Sequence, residues 1–278
     1  MSSSVKKILL TPLLLLPFIV GAQTPGGGAT DLNGNEYATV IIGNQEWFAE
    51  NLRTSFYSNG DSIPNAIDNA LWAATTEGAW CHFMNDSTYE TPYGKLYNWY
   101  AAADTRNVCP TGWHVPMQSE WQELHSFLGG ANVAGGNMNE AGLDHWDSPN
   151  TGGTNASGFT AIGSEERTAW GPFGNFSMGF KAFYWTGEQS TSNADYGVYT
   201  GVYAQFAWTD FNEWFKGSGH SMRCVRESTV DINELNNTPK KLVRILDLMG
   251  RETPFEFNTI LIYQYSDGTT KKVFFPLH

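Results

Sequence analysis

The sequence predicts an α+β domain of short antiparallel strands and two helices, followed by a small separate β element at the C-terminal end. Three features of the 278 residues point there. Short apolar runs are punctuated by Gly and Asn at turn positions, which marks antiparallel strands. Helical spacing of apolar side chains appears in two stretches only, one opening at Gly94 and one following Thr111. The last fifty residues then change in character. Residues 23–228 hold 8 basic against 22 acidic side chains, a net charge of −14, whereas residues 229–278 hold 6 of each, and all 11 Trp lie between Trp47 and Trp214. A chain that is 14% aromatic and 16% charged, with 29 Gly, is neither disordered nor a coiled coil. Its acidic excess excludes a nucleic-acid binder, because no basic surface is available to displace counterions from phosphate. It argues equally against docking on anionic lipid.

Taken in order, residues 1–22 read as an export signal. Lys6 and Lys7 precede an apolar run from Ile8 to Val20, and Val20-Gly21-Ala22 offers small residues for cleavage before Gln23. The run falls short of the ~20 apolar residues of a membrane span. Pro12 and Pro17 would break a buried helix. Gln23 and Thr24 follow the cleavage point where a lipoprotein would carry Cys, so no lipid anchor is expected. No other long apolar stretch occurs, and the mature chain is expected not to span a membrane.

Residues 23–29 form a short leader, and the main module runs from 30 to 227. It opens with a hairpin turning at Asn33-Gly34, a strand over Tyr37 to Ile42, a turn at Gly43-Asn44 and a return strand over Gln45 to Ala49. Asp31, Asn33 and Asn35 mimic the start of a calcium loop. Glu36 stands where the sixth-position glycine belongs and Ile42 where the twelfth-position Glu belongs, so an EF-hand is rejected. A first helix is expected over Gly94 to Asp104, where Leu96, Trp99, Tyr100 and Ala103 share a face. A second follows, capped near Gln118 or Ser119, with Trp121, Leu124, Phe127 and Leu128 on its apolar face and Gly129-Gly130 as its stop. Residues 129–158, rich in Gly, Asn and Thr, read as a long loop region. Residues 228–240 form the linker, polar and Asn-rich up to Pro239. The tail, 241–278, alternates apolar and polar residues from Lys241, turns at Gly250, and closes with a hairpin over Thr259 to Phe275 that turns at Asp267-Gly268.

Four segments occur together in this main module: the opening from Asp31 to Leu52; Tyr93-Gly-Lys-Leu-Tyr-Asn-Trp-Tyr-Ala-Ala102; Cys109-Pro-Thr-Gly-Trp-His-Val-Pro116 with Glu120-Trp121; and Met222-Arg-Cys-Val-Arg226. In that order they resemble the Fibrobacter succinogenes major paralogous domain. The resemblance implies a C-type-lectin-like fold, related to the formylglycine-generating sulfatase-modifying enzymes, in an exported bacterial protein. The tail carries Asp247-Leu-Met-Gly-Arg-Glu252 followed by Tyr263-Gln-Tyr-Ser-Asp-Gly-Thr269. It resembles the C-terminal sorting domain of the type IX secretion system of Bacteroidota, which implies a handle read by that machinery. The other reading of the tail is an ordinary hairpin packed on the main module.

Three cysteines occur, and in an exported chain a pair is expected to oxidise. Cys109–Cys224 is favoured: Cys109 precedes the second helix, Cys224 lies in the last strand, and the pairing suits a lectin-like domain closing its ends. Such a bridge would stabilise by about 4–5 kcal/mol in the chain-entropy model. Cys81 with either partner, or no bond at all, are the alternatives. The sulfatase-modifying relatives use a cysteine pair, and only Cys224 lies near the C-terminal region where that pair would sit, so their chemistry is not expected. None of the 6 His belongs to a HExxH motif or a tight Cys/His cluster, and His114 reads as a buried, hydrogen-bonded core residue. No Gly-x-Ser-x-Gly elbow supports a Ser-His-Asp triad, and nothing singles out a carboxylate pair for glycoside hydrolysis. No catalytic residue and no cofactor is assigned.

The tryptophans are more informative. Trp113 and Trp121 read as core. Others stand beside amides and carboxylates: Trp146 and Asp147 near Asn150 and Asn155, and Trp208 with Asp210, Asn212 and Trp214. An aromatic ring covers the apolar C–H face of a sugar while amides and carboxylates bond its hydroxyls. The same oxygens could hold Ca²⁺, and the competing reading is Asx turns around core Trp. The expected function is a secreted or surface-attached, non-enzymatic binding module for carbohydrate or another surface polymer. A catalytic relative of the sulfatase-modifying enzymes and a structural domain of a surface adhesin or filament are the other readings.

Overall fold

A computed structural model describes residues 23–174, 178–228, 242–256, 258–266, 268 and 270–274. The export signal, the linker from 229 to 240 and Asp267 of the tail turn lie outside the described residues. β1 (Thr24–Pro25) precedes a hairpin of β2 (Ala29–Thr30) and β3 (Glu36–Tyr37). Asp31 explains this turn. Its Oδ1 accepts from the backbone N–H groups of Asn33 and Asn35, both at 2.9 Å. Its Oδ2 accepts from the Asn35 amide at 2.8 Å and the Tyr37 hydroxyl at 2.7 Å. The residues that mimic a calcium loop thus close an Asx-type turn. Ala38 separates β3 from β4 (Thr39–Ile42), so the expected strand over Tyr37 to Ile42 is two strands. β4 returns through Gly43, at φ 65°, as β5 (Gln45–Phe48).

α1 (Asn69–Ala74) was not expected; Asp68 caps it by accepting from the N–H groups of Ala70 and Leu71. Next come β6 (Trp80–Cys81), two 3₁₀ turns, α2 (Glu90–Tyr93), β7 (Leu96–Tyr97) and α3 (Trp99–Ala102). The long helix expected over Gly94 to Asp104 is therefore corrected. Gly94 takes φ 73° and ψ −157°, β7 pairs with β6, and only one helical turn follows, capped by the Asn98 side chain. Leu96 and Trp99 are both buried, but from a strand and a turn, and their spacing imitates a helical face.

The second expected helix is α4 (Gln118–Phe127). Its cap is Met117, one residue earlier than Gln118, and Glu120 Oε2 accepts from the Met117 N–H at 2.8 Å. Gly129 and Gly130, both at positive φ, end it. α5 (Ala131–Met138) then occupies the start of what reads as a loop. Glycine is a poor helix former, which hides this element in the sequence. Its reason lies elsewhere in the chain: a Cβ on Gly135 would sit 2.6 Å from the Trp208 carbonyl oxygen, and one on Gly136 2.6 Å from that of Gly152. The architecture is mixed α+β, with five helical segments among the described residues in place of two.

β8 (Lys181–Gln189), β9 (Tyr196–Tyr203) and β10 (Asp210–Phe215) make an antiparallel meander. β11 (Val225–Glu227) pairs with β5 and completes a sheet in the order β1-β4-β5-β11. β5 and the closing strand are neighbours, and the Cys109–Cys224 disulfide, with Cα atoms 5.9 Å apart, ties the loop before α4 to the start of β11. Cys81 is free and buried. One core gathers Phe48, Tyr97, Trp113 and Trp185; another gathers Trp47, Trp121, Phe159 and Tyr184.

The 8 basic side chains of residues 23–228 share a pattern. Five are buried, Arg53, Arg106 and Arg226 are half-buried, and each lies over an aromatic ring. The pairs are Arg53 on Tyr37, Lys95 on Trp80, Arg106 on Tyr57, Arg167 on Trp72, Lys181 on Phe183, Lys216 on Trp99, Arg223 on Phe159 and Arg226 on Trp113. The ring quadrupole replaces part of the lost hydration of each cation.

The chain divides into two compact units between Ser228 and Thr229. The second unit is a three-stranded antiparallel sheet of β12 (Leu242–Leu246), β13 (Ile260–Tyr265) and β14 (Thr270–Phe274), in that order. Asp247 closes its first turn by accepting from the N–H groups of Met249 and Arg251. Gly268, at φ 82°, supports the second. Among the described residues no helix is long and apolar enough to cross a membrane.

Candidate functional site

Side chains alternate across a strand, so the meander presents two faces. Ala182, Tyr184 and Val202 go into the core. The other face carries Lys181, Phe183 and Trp185 on β8, Tyr199, Gly201 and Tyr203 on β9, and Asp210, Asn212 and Trp214 on β10. Register aligns Phe183 with Gly201 and Asp210, and Trp185 with Tyr199 and Asn212. Trp99 roofs one end, where a Cβ on Gly197 would lie 2.2 Å from its Cδ1. The other end is open: Phe183, Tyr203 and Asp210 are half-buried and Asn212 is exposed, while Trp214, 39% exposed, pairs with Gly197 at the Trp99 end.

Asp210 is the polar centre of the open end. Its Oδ1 accepts from the Tyr203 hydroxyl at 2.9 Å and its Oδ2 from the Asn212 amide at 2.6 Å. Gly201 makes the first bond possible, since a Cβ there would stand 2.7 Å from the Tyr203 hydroxyl oxygen. The Tyr203 ring lies 4.7 Å from Trp208, which stacks on Phe206 at 5.1 Å and 25°. Phe206 is 46% exposed. α5 braces this loop: Gly136 N–H donates to Ala207 O at 3.0 Å, and Thr209 N–H to Ala131 O at 2.9 Å. Burial, and then Asp210, push the Tyr203 phenol well above its ordinary pKa, so its proton stays on and donates.

A charged cluster borders the same face. Glu166 bonds Lys181 at 3.1 Å and His220 at 3.3 Å. The Lys181 ammonium sits 4.3 Å over the Phe183 ring, and His220 stacks on Trp185 at 4.1 Å. Burial alone would raise the Glu166 pKa, but His220 and Lys181 outweigh it and hold the carboxyl down at about 2. Burial lowers the His220 pKa, so the ring is neutral. Asp210 and Glu166 both raise the Tyr199 pKa after burial does, which places both carboxylates within electrostatic reach of that phenol.

The two sequence-derived clusters fare differently. Asp210 and Asn212 come together with Trp208 beside Tyr203, whereas Trp214 shares the face but lies at its Trp99 end, opposite Gly197. Trp146, Asp147, Asn150 and Asn155 do not form a second one. Trp146 is 2% exposed and its indole N–H donates to Ala161 O at 2.8 Å, which leaves no ring face for a ligand. The Asn150 amide donates to the carbonyls of Glu140 and Gly142, and the Asn155 amide to Thr160 Oγ1, both from left-handed backbone. These are loop-building asparagines; Asp147 is exposed beside them. His114, expected in the core, is exposed and paired to Glu120 at 2.7 Å. Sequence reading missed Phe183, Tyr199, Tyr203, Phe206, Glu166, Lys181 and His220. The alternation in Lys181-x-Phe183-x-Trp185 and Tyr199-x-Gly201-x-Tyr203 was the available signal, but only strand register shows that it converges on Asp210. Among the described residues no group of three or more His, Cys, Asp or Glu is placed to hold a metal ion.

The family model of the Fibrobacter succinogenes major domain matches residues 40–226. The chain belongs to this family. In this Fibrobacter succinogenes major domain the match runs from within β4 to within β11, and it takes in the whole β8–β10 face. It stops short of the tail sheet. No curated protein and no solved structure matches the chain.

Proposed function

We propose that this chain is a secreted or cell-surface, non-enzymatic binding module whose β8–β10 face holds a carbohydrate or another surface polymer. The observation that carries the reading is the Asp210 node, bonded to Tyr203 and Asn212, with the stacked Trp208 and Phe206 rings beside Tyr203. Flat rings beside oriented oxygen and amide groups suit the two kinds of surface on a sugar ring. A C-type-lectin-like topology accords with the adjacency of opening and closing strands and the disulfide near them. Thiol chemistry like that of the sulfatase-modifying enzymes finds little support: Cys109 and Cys224 are joined, and burial pushes the Cys81 thiol up to about 11, away from a reactive thiolate. The separate tail sheet, with its Asp247 and Gly268 turns, supports a sorting handle for type IX secretion, reached after export on residues 1–22.

A glycan array with the full chain, run beside Trp208→Ala, tests the site. Binding to a defined glycan set should fall by about tenfold or more in the variant, the scale of a lost aromatic anchor. No glycan signal, or equal signals from both proteins, would overturn the reading.

A further inference from the structure

The main unit treats its own cations in one way. Five of its basic side chains combine a ring contact with a bond to a carboxylate: Lys181 over Phe183 with Glu166, Arg53 over Tyr37 with Glu50, Arg106 over Tyr57 with Asp104, Lys95 over Trp80 with Glu90, and Arg226 over Trp113 with Glu46. The Asp210 corner has the same parts without the cation. Tyr203 and Trp208 gather beside the carboxylate with Phe206 stacked behind, and no basic side chain of the described residues lies over these rings. Asp210 accepts one bond on each oxygen, while a carboxylate offers about four acceptor sites. Residues 23–228 carry a net charge of −14, and the cation already on this face, Lys181, is bonded to Glu166 and not to Asp210.

We infer that the Asp210 corner is a subsite for a protonated amine, and that the polymer this face selects is an amine-bearing saccharide. The inference rests on the carbohydrate reading of the face and narrows it. The ammonium sits against Asp210 and the rings of Tyr203 and Trp208, where ring quadrupole and carboxylate act together. The stacked Phe206–Trp208 platform takes the apolar face of the sugar. N-acetylation removes the charge and adds bulk at the corner, and a uronate polymer is repelled.

The test is calorimetric titration of the full chain with a soluble glucosamine oligomer, its N-acetylated counterpart and a polyuronate, at low ionic strength and below the pKa of the sugar amine. The amine form should bind about tenfold tighter than the acetylated form, with the uronate weakest. Asp210→Asn should abolish that preference while retaining binding of the acetylated oligomer. Glu77→Gln, which removes an exposed negative charge elsewhere, should leave the preference intact. Circular dichroism establishes that each variant is folded. Equal binding of amine and acetylated forms, or equal loss in the two variants, overturns the amine subsite and leaves the carbohydrate reading standing. Asp210-dependent binding of oligolysine but of no saccharide overturns the saccharide assignment. Failure of every oligomer, charged or neutral, overturns both proposals.

Discussion

Arg167 and Arg223 are fully buried, and neither is hydrogen-bonded to a carboxylate among the described residues. Arg223 donates instead to Phe48 O at 2.7 Å, Phe159 O at 2.8 Å, Thr160 O at 2.9 Å and Asn51 Oδ1 at 2.8 Å. It staples β5 to the loop before β8. Arg223→Met should cost about 3–5 kcal/mol in denaturant unfolding, because several buried carbonyls lose their donor at once. Arg223→Lys should recover little, since an ammonium cannot reproduce the planar fork. Acid should weaken the fold through its buried imidazoles. Burial lowers His125 to about 4, so below the ordinary histidine value the unfolded chain takes up a proton that the folded chain refuses. Stability is therefore full above about pH 6.5 and falls as pH drops toward 4, by about 3 kcal/mol for this group. His220 acts in the same direction, and Glu166 extends the loss to lower pH. His114 has the opposite sign, because Glu120 raises its pKa, but its exposure makes it weak. His125→Phe should reduce the pH slope of unfolding by about one proton, and an unchanged slope would place the titration elsewhere. None of this was legible residue by residue. His114 and His220 look alike in sequence, and the difference is set by Trp185 and Phe183, which only folding brings to His220.

At the scale of elements, turn chemistry was legible and long-range packing was not. Asn33-Gly34 and Gly43-Asn44 declare their hairpins through local φ preferences, while the sequence favours pairing Cys109 with Cys224 but leaves alternatives with Cys81 open. α5 stayed hidden because Gly135 and Gly136 are chosen for close approach to the 204–209 loop and to Gly152, at the expense of helix propensity. α3 was overread because a buried strand followed by one turn reproduces helical spacing. The disulfide closes a separation of 115 residues, so replacing both cysteines by serine should cost about 4–5 kcal/mol. The variant and the reduced wild type should unfold at the same denaturant concentration. Gly197→Ala should destabilise by about 1–3 kcal/mol, because the new methyl would overlap the Trp99 ring. A variant as stable as wild type would mean that Trp99 can leave the sheet.

For the whole molecule the division between Ser228 and Thr229 sets the expectation. All 11 Trp and all 3 Cys precede it, so a chain cut from Thr238 onward keeps its packing residues. Its main thermal transition should shift by no more than about 2–4 °C, the effect of roughly 1 kcal/mol at this size. In the native host the same deletion should strand the protein inside the envelope if the tail is an address. Cell fractionation decides this: a truncated protein that still reaches the surface would make the hairpin an ordinary structural element. The compositional change between the units was visible in the sequence, because net charge and Trp content are additive along a chain. The candidate face was only half visible, since β8 and the Glu166 loop join β10 through register rather than proximity in sequence.

The partial or full burial of the basic side chains of the main unit has a consequence for proteolysis. Trypsin must seat a lysine or arginine in a deep pocket before it cuts, and of the 8 in residues 23–228 five are buried and three, Arg53, Arg106 and Arg226, are half-buried and bonded to carboxylates. In the tail sheet Arg244, Arg251, Lys271 and Lys272 are all exposed. A trypsin-like enzyme should therefore shave the tail and leave the family domain as its limit product. A glutamate-specific protease, offered Glu36, Glu77 and Glu227 on the main unit and Glu252 on the tail, should nick both units. Burying its cations would thus confer resistance on the main unit to one class of enzyme while leaving the tail open to removal.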